Sequence, residues 1–219
     1  MKILTLILIL FTLSATVAEA QLSYGSELTG IVMIPTSSFS DAFKPGFGGT
    51  IGMFFDMRDN LRVTLSGGYL TSPVKESGVQ QIYNEAGGTG TIEPSGSVKT
   101  IPLLLGLWLI TPGTVRFYGG LEAGIYIYSV KVDARITDNT GSANVQLADD
   151  TRSEFGINLG FGGILPVKDN ISATAGVRYH FVQTSEFRST TGGSSGVTLS
   201  TNQFLTFALG LNWAFSSDN

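Results

Sequence analysis

The chain has 219 residues, 42% of them hydrophobic and 14% charged, with 28 glycines, no cysteine and a net charge of −4. That balance excludes a nucleic-acid binder, which would carry a basic patch. The missing cysteines exclude a disulfide-stapled domain, a zinc-thiolate site and a cysteine nucleophile, and the apolar content excludes disorder.

Residues 1–20 read as an export signal. Met1-Lys2 gives a positive start, Ile3–Leu13 is apolar except for Thr5 and Thr12, and Ala18-Glu19-Ala20 places small residues where a signal peptidase cuts. The mature domain is then 21–219, beginning at Gln21. About eleven apolar residues are too few to cross roughly 30 Å of hydrocarbon as a helix.

Beyond the signal the side chains follow a period of two, and no segment reads as an amphipathic helix. Eight strands are predicted. The first, 28–34, leaves its faces unassigned. In 47–57, Phe47, Ile51, Met53 and Phe55 alternate with Gly48, Thr50, Gly52 and Asp56, and in 61–71, Leu61, Val63 and Leu65 alternate with Arg62, Thr64 and Ser66. The fourth strand, 99–110, is apolar on both faces over Ile101–Ile110, so its orientation stays open. In 115–130, Val115, Phe117, Leu121, Ala123, Ile125 and Ile127 oppose Arg116, Tyr118, Gly120, Glu122, Gly124 and Tyr126. Strand 152–165 sets Phe155, Ile157, Leu159 and Phe161 against Gly156, Asn158, Gly160 and Gly162. Strand 171–183 sets Tyr179 and Phe181 against Arg178 and His180, and 203–215 ends on Trp213 and Phe215.

In each clear case one face is large and apolar while the other is small or polar. A soluble sheet would put charged side chains on its water-facing side. Glycine, alanine and threonine suit a tight lumen instead, with the bulky face turned to lipid. The connections agree. Links of three to five residues (Arg58-Asp59-Asn60, Thr111–Thr114, Pro166–Asn170) alternate with long ones over 35–46, 72–98, 131–151 and 184–202. Short periplasmic turns and long outer loops sort that way in outer-membrane barrels. The fold class is therefore all-β, an eight-stranded antiparallel up-and-down transmembrane barrel.

Lys44-Pro45-Gly46-Phe47-Gly48, Ile101-Pro102-Leu103-Leu104, the turns Asp59-Asn60-Leu61 and Asp169-Asn170-Ile171, and a final strand of alternate aromatics ending at Phe215 carry a family likeness. In their order, over some 190 residues, the chain resembles the eight-stranded outer-membrane β-barrel superfamily that includes the OmpA transmembrane domain and OmpX. It is most similar there to the outer membrane protein beta-barrel domain, or porin-like, group. The resemblance implies a cell outer-membrane location with both termini periplasmic. Its implied partners are outer-membrane lipid, lipopolysaccharide and the barrel-assembly machinery that reads the terminal aromatic. Ser216–Asn219 follow that aromatic here, a departure from the family pattern. A monomer is expected, and an extracellular ligand is left unidentified.

Parity nominates two residue sets. Phe55, Phe117, Trp213 and Phe215 point outward at periplasmic strand ends, and Phe47, Tyr69, Phe155, Tyr179 and Phe181 toward the outer ends. Together they would form two aromatic girdles at headgroup level. Asp56, Arg62 and Arg116 face inward near the periplasmic mouth. Glu122 and Arg178 each lie seven residues beyond the start of an upward strand, hence at one depth. An ion pair between them across the lumen is expected, with His180 and Tyr126 nearby, because a lone buried charge is costly. It would serve as a structural plug or as a gate that opens by re-pairing. No catalytic, cofactor or metal site is expected. The sole histidine points inward with no outward serine to partner it, Asp138-Asn139 and Asp149-Asp150 match no calcium loop, and Gly46, Gly48, Gly49 and Gly52 read as strand packing rather than a phosphate loop. The favoured role is non-enzymatic, in envelope structure or surface contact through the four long loops. A small gated pore and a lipid A-modifying enzyme are the rivals.

Overall fold

In the computed structural model, residues 23–57, 60–85, 87–138, 141–188 and 198–215 are described. The expected signal over 1–20 with its cut after Ala20, and residues 189–197 of the last long connection, lie outside them. The elements are β1 Ser23–Pro35, α1 Phe39–Ala42, β2 Gly46–Met57, β3 Leu61–Pro73, α2 Glu76–Glu85, β4 Thr91–Ile110, β5 Arg116–Asp138, β6 Gly141–Lys168, β7 Ile171–Arg188 and β8 Thr198–Ala214. Each strand pairs antiparallel with its sequence neighbours, and β1 closes on β8 from Gly25↔Ala214 to Pro35↔Phe204. Closure pairs the backbone groups of the ring, which a structure crossing hydrocarbon requires.

Burial sorts by parity as the pattern predicts. Leu28, Val32, Ile51, Leu65, Leu121, Phe161 and Leu209 are exposed on the outer wall, Leu209 at 71%. Both open assignments are now made. Thr29, Ile31 and Met33 of β1 face inward. In β4, Ile101, Leu103, Leu105, Leu107 and Leu109 form an outward ladder, while Leu104, Trp108 and Ile110 are buried in the lumen.

The outer half departs from the sequence reading. The connection expected over 131–151 is mostly strand: β5 and β6 remain paired from Lys131↔Asp149 to Asp138↔Gly141, and β4 starts at Thr91, pairing with this hairpin through Thr91↔Thr137. Here the outward side chains, Lys131, Asp133 and Arg135, are exposed and polar, while Val130, Val132 and Ala134 are buried. The outward face of this segment is polar rather than apolar, so the lipid-facing signature disappears and the segment resembles a loop by composition. The step from Val132↔Ala148 to Asp133↔Gln146 leaves Leu147 as the extra residue of a bulge, and both Leu147 and Ala148 turn inward and are buried.

Two helices also occur where none is expected. One-turn α1 and ten-residue α2 cross the outer mouth, stapled by Lys75 N–H to Ala42 O at 2.8 Å, Lys44 N–H to Pro73 O at 2.8 Å and Ile92 N–H to Gln80 Oε1 at 2.8 Å. Gly78 approaches the Asp41 carbonyl so closely that a Cβ would strike backbone, so the helix crossing admits only glycine there. Phe39, Phe43 and Val79 are buried with Met33, Leu70, Val98, Tyr128, Val130 and Phe204 in one apolar cluster. The Phe39 ring lies 5.0 Å from Phe43 and 6.3 Å from Phe204. Removing such side chains from water stabilises by about 1.5–3 kcal/mol each. The bulky apolar residues therefore do not all face lipid: the outer lumen has a packed core like that of a soluble domain.

Candidate functional site

Below that core the lumen turns polar. Asp56 and Arg62 are direct cross-strand partners beside the β2–β3 turn. They form a two-toothed ion pair, Nε–Oδ1 2.6 Å and Nη2–Oδ2 2.9 Å, with the guanidinium 4.0 Å above the Phe54 ring. Arg116, half-buried on the lumen face, joins none of the ion pairs among the described residues.

Glu122 is buried on β5, opposite Gly106 of β4 and Asn158 of β6. Asn158 Nδ2 donates to Glu122 Oε2 at 3.0 Å, and Arg178 Nε stands 3.4 Å from the same oxygen. The Arg178 guanidinium lies 5.3 Å from the Trp108 ring centroid, and Trp108 Nε1 donates to Thr64 Oγ1 at 3.1 Å. Gly160, between these strands, leaves the space that the Arg178 stem and the Trp108 ring occupy.

His180 completes a chain of contacts. Its Nδ1 is 2.8 Å from Tyr126 Oη and its Nε2 2.9 Å from Thr206 Oγ1, while Tyr126 donates to Asn158 Oδ1. With its single proton spent on Asn158, Tyr126 can only accept from His180. This assigns the Nδ1-protonated tautomer and leaves Nε2 to accept from Thr206. The ring also stacks on Phe204, centroids 4.2 Å apart. One network thus runs Thr206–His180–Tyr126–Asn158–Glu122–Arg178, across β8, β7, β5 and β6. Tyr126 and Phe204 form its boundary with the apolar cap.

Toward the short-turn end is a cavity of about 30 Å³ with a mixed lining, Glu27, Arg62, Arg178 and Asn212 standing beside Trp108, Ile110, Ile164 and Ala208. A water molecule needs about 10–15 Å³ by that measure, so two or three fit. Sequence reasoning missed Glu27 because the faces of β1 were open. The outward set Leu28, Val32 and Ile34 was the signal that could have turned Glu27 inward. Tyr118 and Trp108 were missed as lining residues, and Asn158 was read only as leaving room.

The outward aromatics fall on both sides of this layer. Phe117, Phe215 and the half-buried Phe55 and Trp213 stand near the short turns. Phe47, Tyr69, Phe155 and Phe181 are exposed toward the long connections. Tyr179 is only half-exposed, its hydroxyl donating to Gln203 Oε1 at 2.9 Å.

The model of the outer membrane protein beta-barrel domain family matches residues 3–215. No curated protein matches the chain. Among solved structures the chain is similar to a major outer membrane protein from Thermus thermophilus, at 14% identity over 89% of this chain and 99% of that one, TM-score 0.51. It is also similar to Ail, the attachment invasion locus protein of Yersinia pestis, in complex with the heparin analogue sucrose octasulfate (13% identity, 89% and 99% covered, TM-score 0.47). A third is Neisserial surface protein A (14%, 90% and 98%, TM-score 0.44). Such identities speak to fold alone. The family match spans nearly the whole chain and agrees with a closed ring of eight strands walled in apolar side chains: this protein belongs to the outer membrane protein beta-barrel domain family and is a barrel of the outer membrane.

Proposed function

We propose that the protein is a non-enzymatic, non-conducting barrel whose role is envelope structure and surface contact through its long outer segments. The observation that carries this reading is the apolar closure of the outer mouth by Phe39, Phe43 and Val79, above a polar layer whose side chains are locked to one another. An eight-stranded ring is only wide enough for side chains, and here they leave a cavity of only about 30 Å³. On this reading Glu122–Arg178 and Asp56–Arg62 are structural plugs, Arg116 serves the periplasmic rim, and the two sets of outward aromatics are girdles at headgroup level. Residues 1–20 act as the cleaved signal and both termini are periplasmic. The barrel is inserted by the assembly machinery and sits as a monomer among outer-membrane lipid and lipopolysaccharide.

The histidine supports the non-enzymatic part. His180 is 4% exposed, both ring nitrogens are engaged, and no route leads from it to a lipid-facing substrate. The test is planar-bilayer conductance of the purified chain together with lipid A mass spectrometry of cells with and without it. Steady channels from the intact barrel would establish the pore reading instead, and a changed lipid A would establish the enzyme. Cell-surface binding lost on deleting 76–85 from a barrel that still folds would support contact through the outer segments.

A further inference from the structure

The membrane-facing wall is not evenly bulky. Over β2, β3 and β4 it carries an open trough of about 510 Å³ between Ile51, Met53, Leu65 and Leu103, with Gly67 in its floor and Ser26 of β1 at its edge. Volumes of roughly 300–1,000 Å³ are typical of small-molecule sites. Gly67 is the direct partner of Ile51 on one side and of Leu103 on the other, so bare backbone lies between two bulky side chains. The barrel itself does not demand a glycine there. A Cβ would stand 3.3 Å from Leu103 Cδ2, the free end of a flexible side chain, and 3.9 Å from the Pro102 carbonyl oxygen. Glycine weakens a strand interior, and where nothing internal calls for it, it marks a close approach by something else.

A second, independent observation lies at one end of the trough. Ser26 stands half-buried on the outer face of β1, between the direct cross-strand partners Met53 and Trp213. Neither its hydroxyl nor the Trp213 indole N–H has a hydrogen-bond partner among the described residues. A polar group at the edge of hydrocarbon needs one. Trp213 belongs to the aromatics near the short turns. Tyr24, two residues before Ser26 on the same face, is exposed there with its ring 6.1 Å from Phe215. Donors thus gather at headgroup level, and the apolar trough runs from them into the wall.

We infer that this trough binds one acyl chain of a glycerophospholipid from the leaflet at the short-turn ends. The Ser26 hydroxyl and the Trp213 indole N–H donate to its ester and phosphate oxygens. The trough is continuous with the wall that meets hydrocarbon, where an acyl chain is what fills space. Lipid tails are as apolar as leucine, so retention comes from close packing and these hydrogen bonds rather than from leaving water. A second copy of the barrel fits poorly: eight residues line the trough, against roughly 20–30 on each side of a stable protein interface. The choice of phospholipid over lipopolysaccharide rests on the periplasmic placement of the short turns proposed above.

The test uses the full chain folded in detergent micelles and titrated with phosphatidylethanolamine, either plain or brominated along its chains. Native mass spectrometry counts retained lipid. Bromine quenching of Trp213 reports occupancy, because Trp108 is buried in the lumen and out of reach. One phospholipid per barrel is expected, with saturable quenching. Gly67→Leu should weaken binding about tenfold, the worth of roughly ten lost atom contacts. Gly119→Leu adds the same bulk to the wall of β5, where a Cβ meets only the Gly160 carbonyl oxygen at 3.9 Å, and should leave binding unchanged. Should Gly67→Leu fail to fold, Ser26→Val carries the same expectation. The inference is overturned by quenching that does not saturate, by retention undiminished in both trough variants, or by an equal loss in Gly119→Leu. Lipopolysaccharide retained in place of phospholipid, and lost in Gly67→Leu, would overturn the lipid assigned and fault the orientation instead of the trough.

Discussion

Replacing Glu122 by alanine tests what the lumen pair does. The carboxylate is 3% exposed and its Arg178 partner 13%, so the substitution leaves the guanidinium without its ion-pair partner, on the wall of a small cavity it shares with Glu27, Tyr118 and Trp108. Breaking a buried pair from one side costs about 3–5 kcal/mol, and Asn158 Nδ2 loses its acceptor for roughly another 1 kcal/mol. The exposed Arg152–Asp150 pair, 40% and 45% exposed, is the contrast: about 0–1 kcal/mol. A double change, Glu122→Ala with Arg178→Met, removes both charges and should recover much of the loss, with Arg178→Met alone as the fourth protein of the cycle. The assay is urea unfolding in micelles followed by tryptophan fluorescence, read as a double-mutant cycle. Planar-bilayer conductance is measured on the same four proteins. A loss below about 1 kcal/mol for Glu122→Ala, or a double variant weaker than either single one, would refute the argument that the charges hold each other. Channels appearing only in Glu122→Ala would make the pair a gate.

Other outcomes follow from the same geometry. Leu105→Arg, on the outward ladder of β4, should cost about 2–4 kcal/mol in vesicles, whereas Lys131→Gln on the polar hairpin should stay within about 0.5 kcal/mol. Unfolding midpoints in urea compare the two. Phe39→Ala should destabilise the cap by about 3–5 kcal/mol and speed proteolysis of the α1 and α2 segments while the strands stay protected. Gly162→Val should cost about 1–3 kcal/mol, because the Ala175 carbonyl and the Tyr118 ring both crowd the place of its Cβ. Tyr118→Leu should relieve only the side-chain share of that cost, because the Ala175 carbonyl stays, and the cycle measures the division. The intact barrel should also run at a different gel mobility before and after boiling.

The parts legible in the sequence are those where lipid and lumen impose different chemistry on alternate residues. In β8, Leu205, Phe207, Leu209 and Leu211 alternate with Thr206, Ala208, Gly210 and Asn212, and no helix or soluble strand explains such a split. Above the membrane that contrast inverts: Lys131, Asp133 and Arg135 outside Val132 and Ala134 form an ordinary amphipathic strand, easily taken for a loop among glycines and serines. Helix α2 escaped because its ten residues include Gly78 and only a short apolar stripe, Val79, Ile82 and Tyr83, that gains order from packing on β4. Counting along strands brought Glu122 and Arg178 to one depth. The same count did not reach Glu27, because the first strand was read from 28 with its faces open, although Leu28, Val32 and Ile34 mark its outward side.

The outer hairpin carries a consequence for how this molecule can change over generations. Val130, Val132 and Ala134 are committed to the cap, while their immediate neighbours Lys131, Asp133 and Arg135 touch mainly water. In the proposed orientation, a molecule approaching from outside the cell would meet only the second set. Substitutions under pressure from such molecules should accumulate at every other position, leaving the interior unaltered, so the visible surface can drift while the seal beneath it stays fixed.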